Sequence, residues 1–109
     1  MLYCSYQKIR SDAPAIVYLN VPKTASAWAV YDAGALVQSL VLAAKERGID
    51  SMVAYEFVKF PSAIRDIPPI PEAESIVIGI GLGYADDRKI NTFRSDRQPM
   101  DDMLTIVSK

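Results

Sequence analysis

Between Ala33 and Ala44 only Gln38 and Ser39 are polar, inside a longer stretch from Ser26 to Gly48 that reads SAWAVYDAGALVQSLVLAAKERG. A helix that is apolar around most of its circumference has to be buried, so this stretch is expected to be the central helix around which the chain is organised. Thr24 or Ser26 can cap its first turn by accepting a backbone N–H. Gly48 supplies the left-handed residue that ends many helices, and Ile49 suits the apolar contact that closes such an end. Lys45 and Arg47 oppose the negative end of the helix dipole, with Glu46 cancelling part of that benefit. A membrane span needs roughly 20 apolar residues. The uninterrupted apolar run here is shorter and is flanked by Asp32 and Lys45-Glu46-Arg47, so no membrane crossing is expected.

Around the helix, β-rich runs dominate. Ala15 to Val21 (AIVYLNV) and Ser75 to Tyr84 (SIVIGIGLGY) are apolar without alternation, which is the pattern of strands covered on both faces. Ser51 to Phe57 reads as a further strand. PSAIRDI reads as a short helix opened by Pro61, which has no N–H to lose in a first turn. Leu2, Tyr3, Tyr6 and Ile9 fit one side of an N-terminal helix, and MLTIV, from Met103, fits a last short strand. The Pro68–Pro71 cluster forces an extended loop. Three two-faced strands with one long helix leave too little cover within the chain. A partner subunit or a further segment is therefore expected to complete the layers, since a large bare apolar face invites aggregation.

Composition narrows the chemistry. With 109 residues a single domain and a single core are expected. Twelve basic against thirteen acidic residues, scattered, leave no electrostatic footprint for nucleic acid. There is no histidine, which removes Ser-His-Asp triads, imidazole bases and the commonest metal ligand. The single Cys4 has no internal disulfide partner and reads as a structural thiol in a reducing compartment. MLYCSYQKIRSD lacks the pattern of a signal peptide, so the cytoplasm is the expected location. Asp32 and Glu56 have no second carboxylate or nucleophile at useful spacing. Tyr18, Tyr31, Tyr55 and Tyr84 read as core-edge residues.

Two motifs remain. Gly79-Ile80-Gly81-Leu82-Gly83 follows a strand, as phosphate-binding glycines do, but YADDRK opens no apolar helix and its carboxylates would repel phosphate. Close packing and a turn at the strand end are the better reading. In Phe93-Arg94-Ser95-Asp96-Arg97-Gln98-Pro99, two guanidiniums three residues apart can converge on one phosphate, with Ser95 adding a hydroxyl. By spacing alone the better reading is that the arginines are solvated or paired with Asp96, Asp101 and Asp102.

The ordered series APAIVYLNVPK, SAWAVYDAGALVQSLVLAAKERGIDS, FPSAIRDI, SIVIGIGLGYADD and NTFRSDRQPMDDM resembles the C-terminal half of FMN-dependent nitroreductases, from about Ala13 to about Met103. The resemblance implies an α+β fold with a mixed β-sheet packed by a long central helix, and residues 1–109 as a single partial domain of it. It also implies a homodimer that holds FMN at the subunit interface. Arg94 and Arg97 would grip the FMN phosphate with Ser95 nearby, and the backbone N–H of Ala54, Tyr55 or Glu56 would meet the flavin ring nitrogen that takes the hydride. The implied reaction draws electrons from NAD(P)H and passes them to a small nitroaromatic or quinone-like acceptor, the cofactor performing the chemistry. The Arg-x-Ser-x-Arg-like segment that the family carries near its N-terminus is not found in this sequence. A second reading is therefore a flavin-free dimeric interaction module that keeps only the fold's core.

Overall fold

The computed structural model describes residues 2–5, 13–65 and 69–107; for 2–5 and Ala63 the backbone alone is described. Four strands form one sheet in the order β1-β2-β4-β3, where β1 is Leu2–Ser5, β2 Ala15–Pro22, β3 Asp50–Ala54 and β4 Glu74–Gly83. All three described pairings are antiparallel. Because β2 and β3 both run opposite to β4, they are parallel to each other, and helix α1 (Ala27–Glu46) makes the crossover between them. The fold is α+β.

Helix α1 ends as its sequence dictates. Gly48 has φ +73°, its N–H reaches Lys45 O at 3.0 Å, and the Ile49 N–H reaches Ala44 O at 3.0 Å. These two bonds satisfy carbonyls that the last turn cannot. At the other end Ser26 occupies the N-cap position in extended conformation, but its hydroxyl makes no capping bond. By length and composition α1 could cross a membrane; in this fold its inner side packs on the sheet, with Ala33 and Val37 buried against Leu19 and Ile80.

The opposite sheet face carries a second core of Ile16, Tyr18, Phe57, Val58, Ile64 and Ile70. Strand β2 feeds both cores, even-numbered residues to one and odd-numbered to the other, which is why its sequence shows no alternation. Strand β4 switches faces part-way. The register passes from Leu19↔Ile78 to Asn20↔Ile76, so Val77 is an extra residue that sends Ile76 to one core and Ile78 to the other.

Several expectations are corrected. Leu2–Ser5 is a strand paired with β2, where a helix was expected; edge pairing outcompetes a short helix, and residues 6–12 lie outside the described residues. Strand β3 stops at Ala54 and Tyr55–Val58 forms a 3-10 turn, because this turn delivers Phe57 and Val58 into the core. Helix α2 runs Pro61–Arg65 with Pro61 first, as expected; Asp66 and Ile67 are outside the described residues. Residues 103–107 form no strand and are exposed. The missing cover also lies elsewhere than expected. Residues 55–65 and Ile70 roof one sheet face and α1 the other, while the outer side of α1 stays bare, with Trp28 76%, Tyr31 72% and Leu42 61% exposed. Tyr31, Tyr55 and Tyr84 are likewise at the surface, not at the core edge; Tyr18 is fully buried.

Candidate functional site

The glycine run of β4 is a packing surface. A Cβ at Gly79 would lie 2.5 Å from Phe57 Cβ, and one at Gly81 would lie 3.1 Å from Phe57 Cζ, so the ring rests directly on the strand. At Gly83 the close neighbour is Pro14, with its Cδ at 2.8 Å. No helix opens after Gly83, and the phosphate-loop reading is excluded by this geometry.

Beyond Gly83 the chain leaves the sheet as an arm with two 3-10 turns, Lys89–Thr92 and Met100–Asp102. The radius of gyration is 16.6 Å, against about 13 Å for a compact chain of this size. The arm carries Arg94, Ser95 and Arg97, all exposed. Arg94 Nη1 donates to Phe93 O at 3.0 Å and Asn91 O at 3.3 Å. Arg97 Nη1 donates to Ser95 O at 3.2 Å, Asp96 O at 3.1 Å and the Ser95 hydroxyl. Neither arginine pairs with Asp96, Asp101 or Asp102 among the described residues, where the ion pairs lie elsewhere. Each guanidinium uses only Nη1, so the remaining donors are available to an anion, and the hydroxyl of Ser95 sits beside Arg97. This donor set fits a phosphate in charge and hydrogen-bonding type.

Ala54, Tyr55 and Glu56 lie where β3 gives way to the 3-10 turn. Ala54 is the last ladder residue, opposite Gly79. Tyr55 is 72% exposed, and Glu56 is exposed and pairs with Lys59 at 3.5 Å. No hydrogen bond or ion pair among the described residues joins this group to the arm arginines. The chain thus presents two separate groups of the expected site residues.

A groove of about 350 Å³ lies between the entry to β2, the start of β3, the end of β4 and the arm's first turn, lined by Pro14, Asp50, Met52, Tyr84 and Ile90 among others. The sequence reading did not single out Asp50. Its Oδ1 accepts from Lys45 Nζ at 2.7 Å and its Oδ2 from the Ala85 N–H at 3.0 Å. The Lys45 hydrogen bond first, then the Ala85 N–H, hold its carboxyl below the usual carboxylate range. Arg65 was also missed as a structural residue. Its guanidinium gathers the carbonyls of Ile70, Pro71 and Glu74 and so fixes the loop into β4.

With this arrangement in view, the model of the Nitroreductase family matches residues 2–84. The chain belongs to the nitroreductase family. The match ends at Tyr84, so the arm arginines lie beyond it. The 4-nitrobenzoate reductase of Nocardioides sp. (strain LMS-CY) is 33% identical over 96 residues, which are 87% of this chain and 39% of that protein. The 4-nitrobenzoate reductase of Pseudomonas putida is 30% identical over 87 residues, 79% of this chain and 38% of that protein. The chain therefore spans about two-fifths of the length of these curated relatives. Among solved structures, the FMN-dependent nitroreductase NfnB from Mycobacterium smegmatis, in complex with NADPH, superposes with a TM-score of 0.83 at 26% identity, over 89% of this chain and 44% of that one. A nitroreductase with bound FMN from Desulfitobacterium hafniense DCB-2 matches with a TM-score of 0.65 at 27% identity, over 89% and 52% of the two chains.

Proposed function

We propose that this nitroreductase-family chain is the FMN-phosphate-binding portion of an NAD(P)H-dependent oxidoreductase that reduces small nitroaromatic or quinone-like acceptors. Residues 1–109 act as one partial domain, completed by a second copy or by the part of the fold that this sequence does not contain. The observation that carries the reading is the arm: a member of this family presents two exposed guanidiniums and a hydroxyl within four residues, with donors to spare. Arg94 and Arg97 hold the phosphate and Ser95 adds its hydroxyl. The turn at Tyr55 supports the second contact, because the first N–H groups of a 3-10 turn have no carbonyl within it to bind. Ala54, Tyr55 or Glu56 would direct such an N–H at the flavin edge. FMN, when bound, carries electrons from NAD(P)H to the acceptor, and the protein holds and orients it.

A homodimer meets the remaining need, since the outer side of α1 exposes Trp28, Tyr31 and Leu42. A cytoplasmic setting suits a single unpaired thiol and a nicotinamide reductant. The test is to mix the purified chain with FMN and desalt it. Retained yellow colour with flavin absorbance supports the reading. Colourless protein, unchanged by added FMN, contradicts it and favours the flavin-free interaction module.

A further inference from the structure

Residues 84–107 carry the two arginines, yet among the described residues a single hydrogen bond joins them to the rest of the chain: the Ala85 N–H to Asp50 Oδ2, at 3.0 Å. The same carboxylate accepts from Lys45 Nζ through its other oxygen. Asp50 opens β3 directly opposite Gly83, the last residue of β4. One side chain thus ties the end of α1, the sheet edge and the root of the arm. Just downstream, the backbone is knotted around Asp86. Its Oδ1 accepts the Arg88 N–H at 3.1 Å and the Asn91 amide at 2.7 Å, its carbonyl takes the same amide at 3.0 Å, and the Arg88 guanidinium pairs with its carboxylate. The stretch from Asp86 to Asn91 is therefore a stiff elbow whose direction is set at Ala85.

We propose that Asp50 is a positioning residue that fixes the direction in which the arm leaves the sheet, and with it the place to which Arg94 and Arg97 are carried. Exposed ion pairs add little stability; here the effect is angular. With the Lys89–Thr92 turn shortening it, the dozen residues from Ala85 to Arg97 span at most about 35 Å, so a swing of 10° at the root displaces the arginines by up to roughly 6 Å. A displacement of even a few ångströms is more than a bidentate hydrogen bond tolerates. Asp50 touches no phosphate and acts only through Ala85. The consequence for flavin rests on the function proposed above, whereas the consequence for the arm does not.

The experiment measures arm direction by pulsed electron resonance between spin labels at Ser39 on α1 and Asp101 on the arm, in a Cys4→Ser background diluted with unlabelled protein. The expected wild-type distance distribution is narrow. Asp50→Ala broadens it by several ångströms while the β3 amides that bond to β4 keep their exchange protection and Ala85 loses its own. Asp50→Asn retains one acceptor oxygen and falls between the two, and Lys45→Ala leaves the distribution near wild type. An Asp50→Ala distribution equal to wild type, or an Ala85 amide still protected in it, overturns the proposal. Should Asp50→Ala lose its β3 protection as well, Asp50→Asn decides: broadening with β3 intact supports the proposal, and no broadening overturns it. If the distribution broadens but FMN affinity does not change, the positioning role stands and the flavin reading fails.

Discussion

Replacing Gly79 with Ala tests the packing of the glycine run. The new Cβ would lie 2.5 Å from Phe57 Cβ and 3.2 Å from Cγ and Cδ2. Phe57 Cβ is attached to the backbone, so no rotamer change relieves the contact; the 3-10 turn must move off the sheet. Overpacking of this kind costs about 1–3 kcal/mol, against about 0.5–1 kcal/mol that Ala gains over Gly in a regular element. A clash with a backbone-attached atom lies in the upper part of that range, so the net loss is roughly 1–2.5 kcal/mol, a factor of about 5 to 70 in the folding equilibrium. Gly81→Ala meets only the far edge of the ring and Ala13 Cβ, at 3.1–3.2 Å. Phe57→Leu removes Cζ and Cε2, so it should relieve Gly81→Ala but leave Gly79→Ala strained. Gly34→Ala is the control, since nothing lies within 4 Å of its Cβ, and it should stabilise by about 0.5–1 kcal/mol. Urea midpoints at one fixed chain concentration measure all of these, because self-association would otherwise shift them. A Gly79→Ala chain as stable as wild type, or one fully rescued by Phe57→Leu, would refute the reasoning.

Gly48→Ala forces a side chain into the left-handed region at φ +73° and should cost about 1–2 kcal/mol by urea melting, with Gly48→Asn costing less. Leu42→Glu, at a position 61% exposed in the single chain, should leave the fold intact but shift sedimentation from dimer towards monomer at micromolar concentration; an unchanged dimer places the interface elsewhere. Asp50 is held in its charged form by Lys45, the charged group facing it, and by the Ala85 N–H. A lowered folded-state pKa gives a contribution that is complete above the ordinary carboxylate pKa and is lost as pH falls through the folded one. Protection of the Ala85 amide should therefore be constant around neutrality and collapse only in acid; a decline near neutral pH would assign it to another group.

Helix α1 was legible from its long apolar run and from its C-terminal end, written in Gly48 and Ile49, whereas the capping bond expected of Thr24 or Ser26 at its start is not made. Strands β2 and β4 were legible for a different reason, their apolar residues being needed on both faces. Tyr55–Val58 was not. YEFV favours a strand locally, and only the bare surface of Gly79 and Gly81, distant in sequence, draws Phe57 out of it. Leu2–Ser5 was ambiguous because a few apolar residues fit either period. The single chain leaves the outer side of α1 exposed although its composition calls for cover, which the proposed homodimer would supply. On the arm, spacing could identify Arg94 and Arg97 as a pair but could not choose between phosphate and solvent. The tie of Asp50 to the arm left no signal, since its partner there is a backbone N–H 35 residues away.

Titration of the chain with FMN and with riboflavin, at matched salt and with flavin fluorescence as readout, tests the central claim most directly. Replacing either Arg94 or Arg97 with Ala should remove charge-assisted hydrogen bonds worth about 1.5–3 kcal/mol and weaken FMN binding roughly ten- to a hundredfold. Lys should rescue only in part, because it keeps the charge and loses the planar fork. Riboflavin, which has no phosphate, should be nearly indifferent to each substitution. Equal FMN affinity for wild type and the Arg94→Ala/Arg97→Ala chain would contradict the account.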